Sequence, residues 1–302
     1  MNRRDAFSSY HPLVNFVYFA LVLLFSMFLM HPACLLISLI GGIAYNISLN
    51  GHRAVRFQLR YMLPMAVLAA IINPAFNHEG ATLLCYLPSG NPLTLESILY
   101  GIAAALLLAA VLNWFSCWTA VMTSDKFVYL FGRVIPALSL VLSMTLRFVP
   151  KFKAQFAVVK QAQKCVGRDT ENGSLFCRMK NAVTILSIVV TWSLENAIQT
   201  ADSMKSRGYG LTGRTAFSIY RFDERDKAAL GWLTFCGFYL FCGWRAGALH
   251  WRFYPTLRGA AATPFTVSFF LVYLALSLTP VFLHRRESRK WKRTGGQSCS
   301  KV

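Results

Sequence analysis

Charged residues are scarce in this chain: they make up 14% of its 302 residues, and only 12 of them are Asp or Glu. A soluble domain carries about a quarter charged residues. Because a charge is expensive inside a bilayer, whereas apolar runs of about 20 residues can cross one, the deficit favours a chain with several membrane spans. The hydrophobic content of 55% points the same way.

Basic residues are absent from one long stretch, since no Lys or Arg stands between Tyr61 and Asp125. The formal net charge of +19, taken alone, could indicate a nucleic-acid-binding protein. However, the basic residues gather in short blocks between apolar runs, as they do in loops that stay in the cytoplasm. This distribution indicates a membrane protein, and we expect no nucleic-acid partner.

Motifs for several chemistries are also missing. The sequence has no Gly-x-x-x-x-Gly-Lys-Ser/Thr loop for ATP, no Cys-x-x-Cys pair and no His-Glu-x-x-His. Gly208, Gly210 and Gly213 fit a Gly-x-Gly-x-x-Gly pattern, but a helix precedes it where a dinucleotide site needs a strand. His78 and Glu79 could belong to a metal pathway, although such pairs are more often ordinary loop residues. We therefore expect no catalytic residues, no disulfide framework, no cofactor and no resident metal.

Six apolar runs are long enough, or nearly so, to cross a bilayer. They cover residues 13–30, 33–49, 61–76, 98–122, 228–244 and 264–283. The segment 51–60 carries three arginines and is expected to be a cytoplasmic loop, whereas 77–91 lacks basic residues and belongs outside. Arg3, Arg4 and the basic tail after His284 predict that both termini lie in the cytoplasm.

The segment 127–146 is apolar and of helical length, but Arg133 and Pro136 lie within it. If it spans the bilayer, residues 147–225 with their 13 Lys and Arg lie outside, against the charge rule. We therefore favour an interfacial or re-entrant helix, with a further span as the alternative. The predicted division is a membrane region 1–146, a cytoplasmic region 147–225 and a second membrane region 226–302.

The cytoplasmic region is predicted to form two long helices joined by a short polar loop. Pro150 fits the first turn of the first helix, where its missing N–H costs little, and Gly167 ends this helix. The apolar residues that share one face at helical spacing are Phe152, Phe156 and Val159.

The second helix is expected to run from about Ser174 to Arg207, where Gly208 and Gly210 break it. An arginine at a helix end can reach a partner's carboxylates with a forked set of donors. The competing interpretation of Arg207 is a solvated arginine, because basic residues are common in last helical turns.

Three segments of this region carry a family resemblance. Leu146-Arg147-Phe148-Val149-Pro150 opens the first helix, Ala162-Gln163-Lys164-Cys165-Val166-Gly167 closes it, and SLENAIQTADSMKSRGYGLTGRT closes the second. With them the chain resembles the transmembrane T component (EcfT/CbiQ family) of energy-coupling factor (ECF) transporters, which are ABC-type importers of vitamins or of metal ions such as cobalt. The resemblance implies an all-α polytopic membrane protein with about six transmembrane helices and two long cytoplasmic coupling helices.

The family typically carries an Ala-Arg-Gly-like motif at the end of each coupling helix. The second motif is present as Ser206-Arg207-Gly208, whereas Cys165-Val166-Gly167 lacks the arginine of the first. Arg168 lies two positions beyond the missing arginine, but a helix turns about 200° over two residues. The residues that the resemblance implies for ATPase coupling are Ala162, Gln163, Cys165, Val166, Gly167, Ser206, Arg207 and Gly208.

The resemblance also implies partners. Each coupling helix would sit in a groove on one of two ABC-type ATPase subunits, with Arg207 near acidic residues of one groove and Cys165 to Gly167 in the other. ATP hydrolysis by these subunits would move the helices and so tilt a separate membrane subunit that holds the substrate. The chain itself would be a non-catalytic, multi-pass protein of the bacterial cell membrane.

Two other functions compete with this one. A self-sufficient secondary transporter would be supported by inverted repeats and by charged residues in mid-membrane, and the sequence shows neither. A membrane-bound enzyme would need a polar or metal cluster at a membrane face, and no such cluster is evident.

Overall fold

A computed structural model describes residues 6–86, 92–132, 135–168, 170, 174–209, 211, 220–259 and 263–298. The chain forms two compact units, one of residues 1–123 with 220–302 and one of residues 124–219. Twelve of the sixteen described elements are helices and the four strands are only two to four residues long, which confirms an all-α polytopic membrane protein.

After a short 3-10 helix at Phe7–Ser9, the elements follow in chain order. They are α1 Pro12–Phe28, α2 Pro32–Asn50, α3 His52–Phe57, a π-helical turn Gln58–Met62, α4 Leu63–Phe76, β1 Leu83–Tyr86, β2 Pro92–Thr94, α5 Leu95–Val121, α6 Ser124–Gly132, α7 Pro136–Cys165, α8 Leu175–Ser206, α9 Glu224–Arg245, β3 Trp251–Arg252, β4 Arg258–Gly259 and α10 Pro264–Ser298. The strands form two antiparallel hairpins, β1 with β2 and β3 with β4.

Five described helical segments are long and apolar enough to cross a membrane. They are Pro32–Asn50, Ala54–Phe76, Leu95–Val121, Leu175–Ser206 and Pro264–Glu287. Helix α1 is a shorter apolar helix of 17 residues, while α9 begins with a charged first turn. The runs 33–49, 61–76 and 264–283 therefore lie within helices that can span, as does the run 98–122 except for Met122. The six-span topology stays a prediction.

The first two membrane helices begin in the same way. His11 and His31 each precede a proline and cap the following helix, because their Nδ1 atoms accept from the N–H of Leu13 and Ala33, both at 3.2 Å. Burial lowers the pKa of both imidazoles, although Asp226 opposes the shift at His11. The neutral form, in which Nδ1 can accept, is thereby favoured at both caps.

The unit of residues 1–123 and 220–302 holds four of the five helical segments that can span, so we call it the membrane unit. Its core is aromatic. Trp114 is fully buried beside Tyr18 and Tyr45, with ring centroids 6.1 Å and 6.4 Å away. Gly41 lets α2 approach its neighbours closely, since a Cβ there would lie 2.8 Å from the Cβ of Ser277. Small residues commonly allow such approach between membrane helices.

Polar side chains inside this unit bond to one another. Asn113 accepts through Oδ1 from Nδ2 of Asn46 at 3.1 Å and from Nε2 of Gln58 at 2.9 Å. Gln58 opens the π-helical turn, so the network ties this turn to α2 and α5. Interhelical hydrogen bonds of this kind satisfy groups that lipid cannot.

Segments near the N-terminus and the C-terminus of the chain meet on one side of the membrane unit. The N–H of His11 donates to Oδ1 of Asp226 at 3.1 Å. The guanidinium of Arg225 lies 3.3 Å from Oε1 of Glu287 and 4.8 Å from the centre of the Tyr10 ring. The starts of α1 and α9 and the latter half of α10 therefore share one face.

Two loops meet elsewhere in the same unit. The N–H of Ala81 donates to the carbonyl of Pro255 at 3.1 Å, and Nδ2 of Asn77 donates to the hydroxyl of Tyr254 at 3.1 Å. Burial raises the pKa of Tyr254. These bonds join the segment after α4 to the segment between α9 and α10.

Three expectations about local structure were wrong. The segment 51–60 is helical rather than a loop, because basic residues indicate the side of the membrane and not the backbone conformation. Pro150 lies inside α7, which runs without a break from Pro136. A proline removes only one helical hydrogen bond and its favoured place is the first turn, which Pro136 occupies here. The expected helix 127–146 is likewise divided between α6 and α7.

Candidate coupling site at two helix ends

Helices α7 and α8 pack against each other through a polar and aromatic contact. Nζ of Lys151 donates to Oδ1 of Asn196 at 2.8 Å, and the rings of Phe152 and Trp192 meet edge to face with centroids 5.9 Å apart. Lys151 also lies 5.5 Å from the centre of the Trp192 ring. The contact thus combines a hydrogen bond with a cation–π interaction.

Two buried apolar residues extend along the same faces. Val159 is 8% exposed and lies two turns beyond Phe152, while Ile185 is 1% exposed and lies two turns before Trp192. The pairing therefore runs forward along α7 and backward along α8, as in an antiparallel helical hairpin. Of the three residues predicted to share one face of α7, Val159 is buried and Phe152 is partly buried, whereas Phe156 is 46% exposed.

The antiparallel arrangement sends the two carboxyl ends in opposite directions. At 1.5 Å per residue, the end of α7 lies about 21 Å beyond Lys151, and the end of α8 lies about 15 Å beyond Asn196. Depending on the crossing angle, the two ends are on the order of 25 to 35 Å apart. A single small ligand cannot bridge them, but two separate protein surfaces can each receive one.

Helix α7 ends in a Schellman motif at Gly167. The N–H of Gly167 donates to the carbonyl of Lys164 at 3.0 Å, and the N–H of Arg168 donates to that of Gln163 at 2.9 Å. Gly167 has a φ of +79°, in the region that glycine adopts without strain. The α7 end is therefore closed by its own backbone.

Helix α8 ends in the same motif at Gly208. The N–H of Gly208 donates to the carbonyl of Lys205 at 3.0 Å, and the N–H of Tyr209 donates to that of Met204 at 3.0 Å. Gly208 has a φ of +72°. The expected helix from Ser174 to Arg207 is confirmed, with these two residues as its caps.

The identical hydrogen bonds align the two ends residue by residue. Val166 takes the position of Arg207, and each directly precedes the glycine of its motif. Arg168 follows Gly167 as Tyr209 follows Gly208, so it does not stand where Arg207 stands. Arg168 therefore does not occupy the backbone position of the arginine that is missing from the first motif.

Most of the predicted coupling residues are open to solvent. Val166 is 71% exposed, and Ala162, Cys165, Ser206 and Arg207 are also exposed. Gln163 and Gly208 are partly buried. The α7 end thus presents an apolar residue where the α8 end presents a cation, so the two ends offer different chemistry to a partner.

Sequence reasoning missed the contact that holds the two helices together. Lys151, Trp192 and Asn196 gave no signal, because a lysine and an asparagine on helices are usually solvated. The only hint was the apolar face that contains Phe152. No three His, Cys, Asp or Glu side chains in the described ranges come together as a metal site.

Comparisons with known proteins agree with this architecture. The profile of the CbiQ family, described as cobalt transport protein, matches residues 9–217. Relatives named energy-coupling factor transporter transmembrane protein EcfT include that of Lacticaseibacillus paracasei, which is 37% identical over 98 residues, or 32% of this chain and 37% of the relative. The one from Streptococcus equi is 32% identical over 111 residues, or 36% and 41%.

A longer alignment covers more of both proteins. The EcfT protein of Bacillus selenitireducens is 27% identical over 183 residues, which are 57% of this chain and 68% of the relative. The alignments to the L. paracasei and S. equi proteins span well under half of those relatives' lengths. Since the family profile covers more than half of the chain, this chain belongs to the CbiQ family and is an EcfT-type transmembrane component of an ECF transporter, a multi-pass bacterial membrane protein.

Proposed function

We propose that this chain is the scaffold of an ATP-driven vitamin or metal-ion importer, which couples two ABC-type ATPase subunits to a substrate-binding membrane subunit. The observation that carries the proposal is the pair of helix ends at Gly167 and Gly208. Both end in the same backbone motif, both are exposed, and they face away from each other. Two ends of this kind suit two separate ATPase subunits.

The α8 end meets its ATPase through charge. Arg207 precedes Gly208, whose missing side chain permits close approach to a groove. The guanidinium then reaches carboxylates in that groove with paired hydrogen bonds, which fix orientation as well as adding affinity.

The α7 end meets the other ATPase mainly through packing. Val166 is exposed at the position of Arg207 and carries no charge. Burial of an exposed valine contributes roughly 1.5 kcal/mol or more. The two helix ends therefore share a backbone motif but contact their ATPases through different side-chain chemistry. Because Lys151 and Trp192 hold α7 against α8, the movement of either ATPase would move both helices.

The chain is oriented with both termini in the cytoplasm. The contact of Arg225 with Glu287 and that of His11 with Asp226 support this, because they bring both terminal segments to one face. The basic tail beside Glu287 suits the anionic cytoplasmic leaflet. ATP hydrolysis belongs to the partner subunits, and the chain itself catalyses no reaction.

Co-purification and reconstitution test the proposal. The wild-type chain is co-expressed with its candidate ATPase pair and substrate-binding subunit, extracted in mild detergent and placed in liposomes. We expect the ATPases to be retained and uptake to need ATP, all subunits and intact ATPase active sites. Uptake by the isolated chain, driven by an ion gradient, would instead establish the secondary transporter and overturn the scaffold.

A further inference from the structure

A basic pocket lies in the segment between α9 and α10. It has a volume of about 380 Å³, within the range of ligand sites. The residues that line it are Gly247, His250, Arg252, Arg258 and Gly259. None of these residues belongs to the helix ends at Gly167 and Gly208. The lining contains two arginines and a histidine and no acidic residue.

The two arginines are opposite each other. Arg252 of β3 pairs directly with Arg258 of β4 in the antiparallel register. Directly paired residues project to the same face, with Cβ atoms about 5 Å apart, and like charges in this position are destabilising. A bound anion would remove the repulsion.

The chain supplies no such anion in the described structure. The side chains of Arg252 and Arg258 make no hydrogen bond or ion pair with any described residue. The sequence contains no Asp or Glu from 228 to 286. The carbonyl oxygens at the end of α9 already accept hydrogen bonds from the backbone N–H groups of Ala246, Gly247 and Ala248. They therefore do not act as acceptors for the two guanidinium groups.

The pocket is held in shape by aromatic packing. A Cβ on Gly259 would overlap the Trp251 ring, so the glycine lets β4 lie directly against it. The Trp251 ring in turn meets His31, with centroids 5.0 Å apart, and Phe253, at 6.2 Å. Phe253 is buried. The backbone of the hairpin that carries the two arginines is therefore held in place by this packing. A fixed backbone reduces the entropy that is lost when the site binds a ligand.

The position of the pocket indicates its ligand. It lies beyond the carboxyl end of α9 and before the amino end of α10. Because α10 begins with a segment long and apolar enough to cross a membrane, the connection before it is expected at the depth of the lipid headgroups. The half-exposed Trp244 in the last turn of α9 suits the same depth. Paired guanidinium groups match the tetrahedral phosphate group with forked hydrogen bonds.

We propose that the pocket binds a phosphate group between Arg252 and Arg258, supplied by the headgroup of an anionic phospholipid or by free inorganic phosphate. The bound phosphate neutralises the paired arginines and fixes the β3–β4 hairpin. This site is independent of the coupling function, since it involves neither α7 nor α8.

Binding measurements on the purified full chain in a neutral detergent test this site. The probes are short-chain phosphatidylglycerol, short-chain phosphatidylcholine and inorganic phosphate. The variant is Arg252→Gln with Arg258→Gln, and the control is Arg245→Gln, which removes a charge from the adjacent last turn of α9, outside the pocket lining. We expect the double variant to bind phosphatidylglycerol at least about tenfold more weakly than wild type, which corresponds to roughly 1.4 kcal/mol, and the control to change less than about twofold.

The arms of the experiment separate the sources of the phosphate. Stronger binding of phosphatidylglycerol than of inorganic phosphate identifies the lipid, and the reverse order identifies the free anion, provided that the double variant loses the binding. Equal affinity of wild type and double variant for phosphatidylglycerol and for inorganic phosphate overturns the proposal, as does an equal loss of binding in Arg245→Gln. The thermal melting temperature of the double variant should be unchanged or higher without ligand, because the like charges are removed.

Discussion

Replacement of Arg207 by Glu is expected to release at least one ATPase subunit from the purified complex and to abolish ATP-driven uptake. Arg207 is exposed at the end of α8, and it places a cation where the aligned end of α7 has Val166. Loss of one partner from a desolvated charge pair costs about 2 to 5 kcal/mol, and reversal adds repulsion. A loss of 2 kcal/mol already weakens the contact roughly 30-fold. The measurement is the ATPase retained per chain after affinity purification in mild detergent.

Lys205→Glu provides the matched control for this experiment. It makes the same change of charge on an exposed residue two positions earlier, which faces another side of the helix, about 200° away. We expect it to retain the ATPases within about twofold, since isolated surface charges contribute little. If both variants lose the ATPases equally, or if neither does, Arg207 has no specific place in the contact.

Replacement of Trp114 by Ala is expected to cause the largest loss of stability among single substitutions in the membrane unit. Trp114 is fully buried, and its indole N–H donates to Oγ of Ser38 at 3.0 Å. Truncation leaves a cavity against Gly42 and Tyr45 and removes one of the two hydrogen bonds of the Ser38 hydroxyl, which keeps its bond with Ser26 at 2.6 Å. Large-to-small substitutions of this type cost about 3 to 5 kcal/mol. Thermal unfolding of the chain in detergent measures the effect.

Phe115→Ala separates the packing effect from the loss of any aromatic side chain. Phe115 follows Trp114 in α5 but is 49% exposed, so its removal creates no internal cavity. We expect a change below about 1 kcal/mol, as for other exposed positions. A melting temperature for Trp114→Ala as high as that for Phe115→Ala would show that the aromatic cluster does not hold this unit together.

Sequence patterns predicted the elements whose causes are local. The helix expected from about Ser174 to Arg207 is followed by Gly208, and the structure has Leu175–Ser206 as the helix with Ser174 and Arg207 at its two cap positions. Gly167 and Gly208 were recognised as helix stops for the same reason. The backbone geometry was needed to show that both helix ends have the same hydrogen-bond pattern, in which Val166 occupies the position of Arg207.

Features set by other parts of the chain could not be predicted in this way. The boundary at Pro150 was wrong because a change from apolar to polar composition does not interrupt a helix. The contact of Lys151 with Asn196 joins residues 45 positions apart, and the pairing of Arg252 with Arg258 depends on strand register. Nothing in their immediate neighbours in sequence specifies these partners.

Cross-linking from the two helix ends tests the central claim most directly. A thiol-reactive photo-cross-linker is attached in the assembled complex either to the exposed Cys165, or to Ser206→Cys in a Cys165→Ser chain. The other exposed thiols and Cys299 are replaced by serine, and Cys85 in β1 is restored alone as the control. We predict that both helix ends label ATPase subunits, identified by mass spectrometry, and that Cys85 does not. Absence of ATPase labelling from both ends, in a complex that retains the ATPases, would contradict the account.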